Sequence, residues 1–310
     1  FFFKQKTAYE IVSRDWSSDV CSSDLHGLVQ ALQVLHVDRG PDVDAGGLQF
    51  LNVLPALGMA AARRVGMREF VDQHQRRTPR QRAVLLGMTR DVAEMRWPAA
   101  FRLVAFDYAR GRIESTWTAT HPTIPAAAVC ADWRAMPLPD RSVTLAAGDG
   151  SYNSVDSAAS QDRVSRELVR VLEPCGTAIV RFYVRPDRAE TLGAVFDALR
   201  AGRIGGVNAL KLRLKFATPA AADGSMCLGD AWEYWNDAGF DRDALAARLG
   251  WTRAAVDAMD SFKGKETRFV FATLAETRAR LTPHFVETRL VTKSYELGDL
   301  CPTLILRPRP

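Results

Sequence analysis

The chain has 310 residues, 47% of them hydrophobic and 25% charged, with a formal net charge of +5. This balance is that of a soluble globular protein of one large or two small domains, and it sets aside disordered and fibrous classes. The basic residues are mostly single arginines among alanines and leucines, so nucleic acid is not indicated as a partner, and no apolar run reaches the roughly eighteen residues that a membrane span needs.

Residues 1–25 read as translated sequencing-adapter DNA, through Lys4-Gln5-Lys6-Thr7-Ala8-Tyr9-Glu10-Ile11 and the stretch 15–25, and they lack the apolar segment of a targeting peptide. They are expected to hold no selected structure, as a fusion scar would not, and the true N-terminus is taken as missing. Residues 26–80 form an N-terminal region with helical spacing over 60–75. Next, the run Ala83-Val84-Leu85-Leu86 stops at Gly87-Met88-Thr89 and leads into helical spacing over 90–96, which is a first strand, its turn and its helix. The second strand, 102–106, closes on Asp107. That carboxylate lies about twenty residues beyond Gly87, the distance at which a nucleotide-binding βαβ unit offers an acceptor to ribose hydroxyls. Two hydroxyl donors suit a two-oxygen acceptor.

A third short apolar run precedes Asp132-Trp133, and a fourth, 142–147, ends in Gly148-Asp149-Gly150-Ser151-Tyr152-Asn153. The latter is a near miss to G-x-G-x-x-G, but it follows the wrong strand for a dinucleotide fingerprint, and it is no G-x-S-x-G elbow. Asp149 suits either orientation of a substrate hydroxyl or amine, or the start of the next helix. After that helix come a turn at Glu173-Pro174-Cys175-Gly176 and a fifth apolar run, 177–184. Strands alternating with helices predict an open parallel sheet over 81–203, with ligands at the strand ends.

Helical spacing continues over 187–201, and 204–284 is too long for a simple crossover, so it reads as a helical insertion or lid. Within it, 210–216 alternates leucine with basic residues as a half-exposed strand would, although so short a run also fits a helix. Helices are expected over 242–249, 253–259 and 274–281. Trp232 and Trp235 stand at i and i+3, either in a satellite core or in a lid over the substrate. Two strand-like runs, 285–295 and 302–307, predict a terminal hairpin within 285–310. Beyond residue 25 the cysteines are Cys130, Cys175, Cys227 and Cys301. With no C-x-x-C and no histidines at ligand spacing, neither a metal site nor a disulfide is expected, which fits thiols in a reducing cytoplasm.

Residues 130–184 carry a more specific pattern. Asp132 closes the third strand, Pro137-Leu138-Pro139-Asp140-Arg141-Ser142 enters the fourth, and Arg166-Glu167-Leu168-Val169-Arg170-Val171-Leu172-Glu173-Pro174-Cys175-Gly176 leads into the fifth. The pattern resembles the second half of a class I S-adenosylmethionine-dependent methyltransferase, and the resemblance spans about 84–184 with weaker agreement to the C-terminus. It implies a Rossmann-like, doubly wound α/β fold whose seven-stranded sheet is completed by the terminal antiparallel hairpin. It implies S-adenosylmethionine as cofactor, held by Gly87, Met88, Thr89, Asp107, Tyr108, Asp132, Trp133, Asp149 and Gly150. Asp132 would accept from the adenine amino group, with Trp133 as stacking face; a capping aspartate beside a core tryptophan fits the same pair. Asp149 and Tyr152 are the candidates nearest the transferred methyl, and the acceptor is expected to be a small molecule. This chain departs from the family in two places. A single glycine, Gly87, stands where a G-x-G-x-G turn is usual, so Met88 must turn away, and Cys175-Gly176 replaces Gly-Gly. The other readings are a binding or regulatory protein that keeps the fold without turnover, and an NAD(P)-dependent oxidoreductase, which the missing glycine fingerprint and the terminal hairpin disfavour. Acceptor and oligomeric state stay open.

Overall fold

The computed structural model describes residues 81–94, 97–117 and 124–310. The adapter-like segment 1–25 and the N-terminal region 26–80 lie outside the described residues.

Five strands form a parallel array: β1 (Gln81–Leu86), β2 (Phe101–Asp107), β3 (Ala126–Cys130), β4 (Val143–Asp149) and β5 (Leu172–Arg181). The terminal strands are β8 (Phe285–Val291) and β9 (Thr303–Pro308). The sheet order is β3-β2-β1-β4-β5-β9-β8, and β9 runs antiparallel to both neighbours. This is the doubly wound, seven-stranded sheet with a terminal hairpin that the resemblance implies. Its strands are near-continuous apolar runs because both faces are covered. Alternate residues of β1 divide between the faces: Val84 and Leu86 join Phe106, Ala146, Val180 and Leu304 on one, while Ala83 and Leu85 join Leu103, Leu145, Ile179 and Ile305 on the other.

Helices α1 (Arg90–Glu94) and α2 (Arg110–Thr116) follow β1 and β2. Helix α3 (Ala158–Val171) opens on Ser157, whose hydroxyl accepts from the Ser160 N–H, and buries Val164, Leu168 and Val171 on the β4–β5 side of the sheet. The turn expected at 173–176 is instead a kink inside β5, where the pairing with β4 shifts register. A Cβ at Gly176 would lie 2.9 Å from the Glu173 carbonyl oxygen, whereas Cys175 is exposed, so only the second glycine of the usual pair is sterically required.

The segment after β5 contains α4 (Leu192–Arg200), α5 (Val207–Ala217), the antiparallel ribbon of β6 (Ser225–Cys227) and β7 (Arg268–Val270), α6 (Leu228–Asp237), α7 (Arg242–Leu249) and α8 (Arg253–Asp257). Helix α8 runs into a 3-10 turn over Ala258–Phe262. The last helix, α9 (Leu274–Leu281), starts with a capping box between Thr273 and Glu276. The strand reading of 210–216 is corrected: these residues lie within α5. Leu210 and Leu214, one turn apart, enter the insertion's core, while Leu212 packs on Tyr183 at the sheet, so two partners bury two faces of a helix whose sequence alternates. Trp232 and Trp235 belong to that same core, with Leu199, Met226, Met259 and Phe262, and Trp235 stacks on Phe240 at 5.1 Å. Of the two readings of these tryptophans, the satellite core is the one the structure adopts.

Candidate functional site

The strand order reverses between β1 and β4, and the crevice at their C-terminal ends is the place where open α/β sheets take ligands. Three segments meet on the β1 side. Gly87 has φ +97°, a conformation that L side chains rarely adopt, and its N–H donates to the Phe106 carbonyl at 2.8 Å. The Trp133 indole N–H donates to the same oxygen at 2.6 Å, which brings the ring to 3.5 Å from where a Gly87 Cβ would stand. Trp133 is thereby buried in the sheet's core, as the core-tryptophan reading has it. Met88 turns away as expected, packing with Val92 and Trp97 on the opposite face, and the Thr89 carbonyl accepts from the Ala93 N–H at 2.9 Å to open α1.

Asp107 is the most unusual carboxylate here, with 1% of its surface exposed. Its Oδ1 accepts from the Ala109 N–H at 2.9 Å, while Oδ2 is buried without a hydrogen-bond partner and has the Arg112 guanidinium only at 3.8 Å. Burial pushes its pKa above the ordinary carboxylate value, against the lowering effects of the Ala109 N–H and Arg112. Beside it Tyr108 is 66% exposed, and its carbonyl accepts from the Cys130 thiol at 3.4 Å. Asp132 is engaged on both oxygens: the Arg134 guanidinium reaches Oδ1 at 3.0 Å and Oδ2 at 2.7 Å, and the Arg134 N–H adds a bond to Oδ1 at 2.8 Å. The Arg134 hydrogen bond holds the Asp132 carboxyl below its usual pKa.

On the β4 side, Asp149 is gripped by Arg181 of β5, Nε to Oδ1 at 2.6 Å and Nη2 to Oδ2 at 2.7 Å, with both side chains at least nine-tenths buried. Gly150 has φ +61°, and a Cβ there would lie 2.5 Å from a Tyr183 ring carbon, so this glycine makes room for that ring. Tyr152 stands elsewhere. It is buried against Phe182, its hydroxyl is 3.0 Å from Ser165 Oγ, and burial raises its phenol well above the ordinary value. Asn153 links the parts: its amide donates to the carbonyls of Tyr183 and Val270 and its oxygen accepts from the Tyr183 N–H at 2.8 Å, tying β7 of the insertion to the exit of β5.

The structure therefore joins Gly87 and Trp133 through the carbonyl of Phe106, the residue before Asp107, and Asp149 and Gly150 through Arg181 and Tyr183, while Tyr152 serves the packing of α3. Sequence reasoning missed Arg134, Asn153, Arg181 and Tyr183. A signal existed for Arg181: an arginine inside a buried apolar strand requires an acid, and the neighbouring strand ends on one. Among the described residues no cluster of three or more potential metal ligands occurs, and no helix is long and apolar enough to cross a membrane.

No protein-family profile matches the chain, and no curated protein does. Solved structures of similar shape include a SAM-dependent methyltransferase from Methanosarcina mazei, 12% identical over 76% of this chain and 96% of that one, with a TM-score of 0.42. A second is the N-methyltransferase NodS from Bradyrhizobium japonicum WM9 in complex with S-adenosyl-L-homocysteine, 12% identical over 78% and 87%, with a TM-score of 0.37. A third is described as a candidate Zn-dependent alcohol dehydrogenase from Rhodobacter sphaeroides, 11% identical over 75% and 86%, with a TM-score of 0.47. Likenesses of this size carry no argument about chemistry, and the fold stands on its own strand order and direction.

Proposed function

We propose that the chain binds S-adenosylmethionine at the ends of β1 and β2 and transfers its methyl group to a small-molecule acceptor at the ends of β4 and β5. The observation that carries this reading is Asp107 Oδ2. A buried carboxylate oxygen without a hydrogen-bond donor is costly, and two vicinal ribose hydroxyls are the donors that its place at the end of β2 suits. Tyr108 supports it by offering a flat solvent-facing ring next in the chain. The base end fits less freely, because Arg134 occupies both oxygens of Asp132. When bound, the cofactor supplies a sulfonium methyl carbon that is already electrophilic, so the protein's task is alignment and exclusion of water.

A second reading is favoured by one observation. Asp149 is held by Arg181 and Tyr152 by Ser165, so neither candidate stands ready as a base, as in a binding protein that retains the fold without turnover. Calorimetric titration with S-adenosylmethionine, S-adenosylhomocysteine, NADH and NADPH tests both. Binding of the first two alone supports the cofactor assignment, and methyl transfer to any of a panel of small acceptors then separates enzyme from binder. Binding of NADH or NADPH alone would sink the proposal.

A further inference from the structure

The rim of the proposed cofactor site carries a thiol. In the β2–β3 register Asp107 pairs with Cys130, so the two side chains leave the same face of the sheet on strands about 5 Å apart. Cys130 is exposed, and its Sγ donates to the Tyr108 carbonyl at 3.4 Å, which holds the thiol toward the end of β2. Tyr108 is exposed beside it, whereas Asp107 is buried with Oδ2 lacking a hydrogen-bond donor. A cofactor whose ribose meets Asp107 and whose base lies on Tyr108 therefore passes close to Sγ. Among the described residues β3 pairs with β2 alone, so no further strand crowds a substituent on that sulfur.

A second thiol supplies the contrast. Cys175 is also exposed, but it stands six residues before Arg181 in β5, on the order of 15–20 Å from the crevice end of that strand. Cys301 is buried, and the half-buried Cys227 donates to the Lys265 carbonyl at 3.4 Å. We propose that Cys130 is a modification site for small disulfides, and that its adduct and the bound cofactor exclude each other. The Cys130 thiolate attacks one sulfur of the disulfide, a mixed disulfide forms at Sγ, and the other half leaves as a thiolate that takes up the proton Cys130 lost. A glutathionyl group, counted as three residues, reaches roughly 10 Å, about twice the spacing between β3 and β2, so it covers the end of β2. The mutual exclusion rests on the cofactor binding proposed above; the modification does not.

The test follows alkylation of the full chain by iodoacetamide, resolved peptide by peptide in a mass spectrometer, with and without S-adenosylhomocysteine. At a hundred times its Kd the ligand leaves about 1% of chains empty, so Cys130 should react at least about ten-fold more slowly while Cys175 keeps its rate. Conversely, treatment with glutathione disulfide should modify Cys130 and weaken S-adenosylhomocysteine binding at least about ten-fold in calorimetry, dithiothreitol should restore it, and the affinity of Cys130→Ser should not respond to the treatment. Binding of S-adenosylhomocysteine that leaves Cys130 as reactive as before, a modified chain that binds as tightly as the reduced one, or no adduct at Cys130 would each overturn the proposal and leave the cofactor assignment standing. A reduced chain that ignores S-adenosylhomocysteine would instead remove the cofactor assignment, and the mutual exclusion with it.

Discussion

The sheet and the insertion use buried residues in different ways. In the sheet, apolar side chains from both faces of β1, β4 and β5 fill two layers, and the polar residues stand at the strand ends. In the insertion, the aromatics turn inward on one another: Trp232, Trp235, Met259 and Phe262 form a core of their own, and the Trp232 indole donates to Asp260 at 2.9 Å rather than facing the crevice. The insertion meets the sheet through Leu212 on Tyr183, Asn153 between Tyr183 and Val270, and the Arg185 N–H donating to the Ala272 carbonyl at 2.9 Å, while Leu281 of α9 joins the sheet's own core. The difference teaches that the large aromatics of a long insertion are evidence first of its independent packing, and that its influence on a site is exerted by the few residues at the seam.

Breaking the insertion's core gives the largest expected effect. Trp235→Ala should destabilise the insertion by about 3–5 kcal/mol, as truncation of a buried aromatic does. Hydrogen exchange followed by mass spectrometry should show loss of protection in α4 to α8 with the amides of β1, β4 and β5 still slow. Equal loss in both regions would mean that the two cores unfold as one.

At the seam, Arg181→Met strips the buried Asp149 carboxylate of its guanidinium and should cost about 3 kcal/mol or more by chemical denaturation, while Arg181→Met combined with Asp149→Leu should recover much of it. A double variant as unstable as the single one would show that the arginine matters through its packing instead.

Function on the sheet side is sharpened by Asp107. Asp107→Ala should weaken S-adenosylhomocysteine binding by roughly 1.5–3 kcal/mol in calorimetry while Trp235→Ala leaves it nearly unchanged. Because burial raises the Asp107 pKa in the folded state above its ordinary 3.8, the unfolded chain ionises first as pH rises, and this group removes stability above that pH. Asp107→Asn should therefore melt higher than the parent at neutral pH, and the gap should close as the pH is lowered toward 4.

A pH-dependent effect belongs to the insertion. Lys215 of α5 is 3% exposed and lies 5.0 Å from the Phe269 ring, and burial, reinforced by the Lys211 charge, lowers its amine from 10.5 to about 7, with Cys301 acting the other way. The unfolded chain then binds one more proton than the folded one between those values, so stability from this group falls as pH drops from 10.5 through 7 and levels off below. Lys215→Met should flatten that slope in melting curves taken across the range.

The sheet was legible because its signals are local. Apolar runs closed by Gly87, Asp107 and Asp149 mark strand ends whatever surrounds them, and the helices at 242–249 and 274–281 were marked by their spacing, with the structure placing α7 and α9 there. The kink inside β5 at Cys175-Gly176 was read as a turn, since the same residues serve either when the partner strand is unknown. What only the tertiary structure decided is who faces whom. Alternating leucines and lysines over 210–216 became a helix because two separate partners bury two of its faces. Trp133 went into the core and Tyr108 out of it, Arg134 closed on Asp132, and Arg181 closed on Asp149, although no sequence spacing couples positions thirty-two apart on neighbouring strands. Strand propensity and turn chemistry act over a few residues, whereas the pairing of a buried charge is set by sheet register, which exists only once the chain has folded.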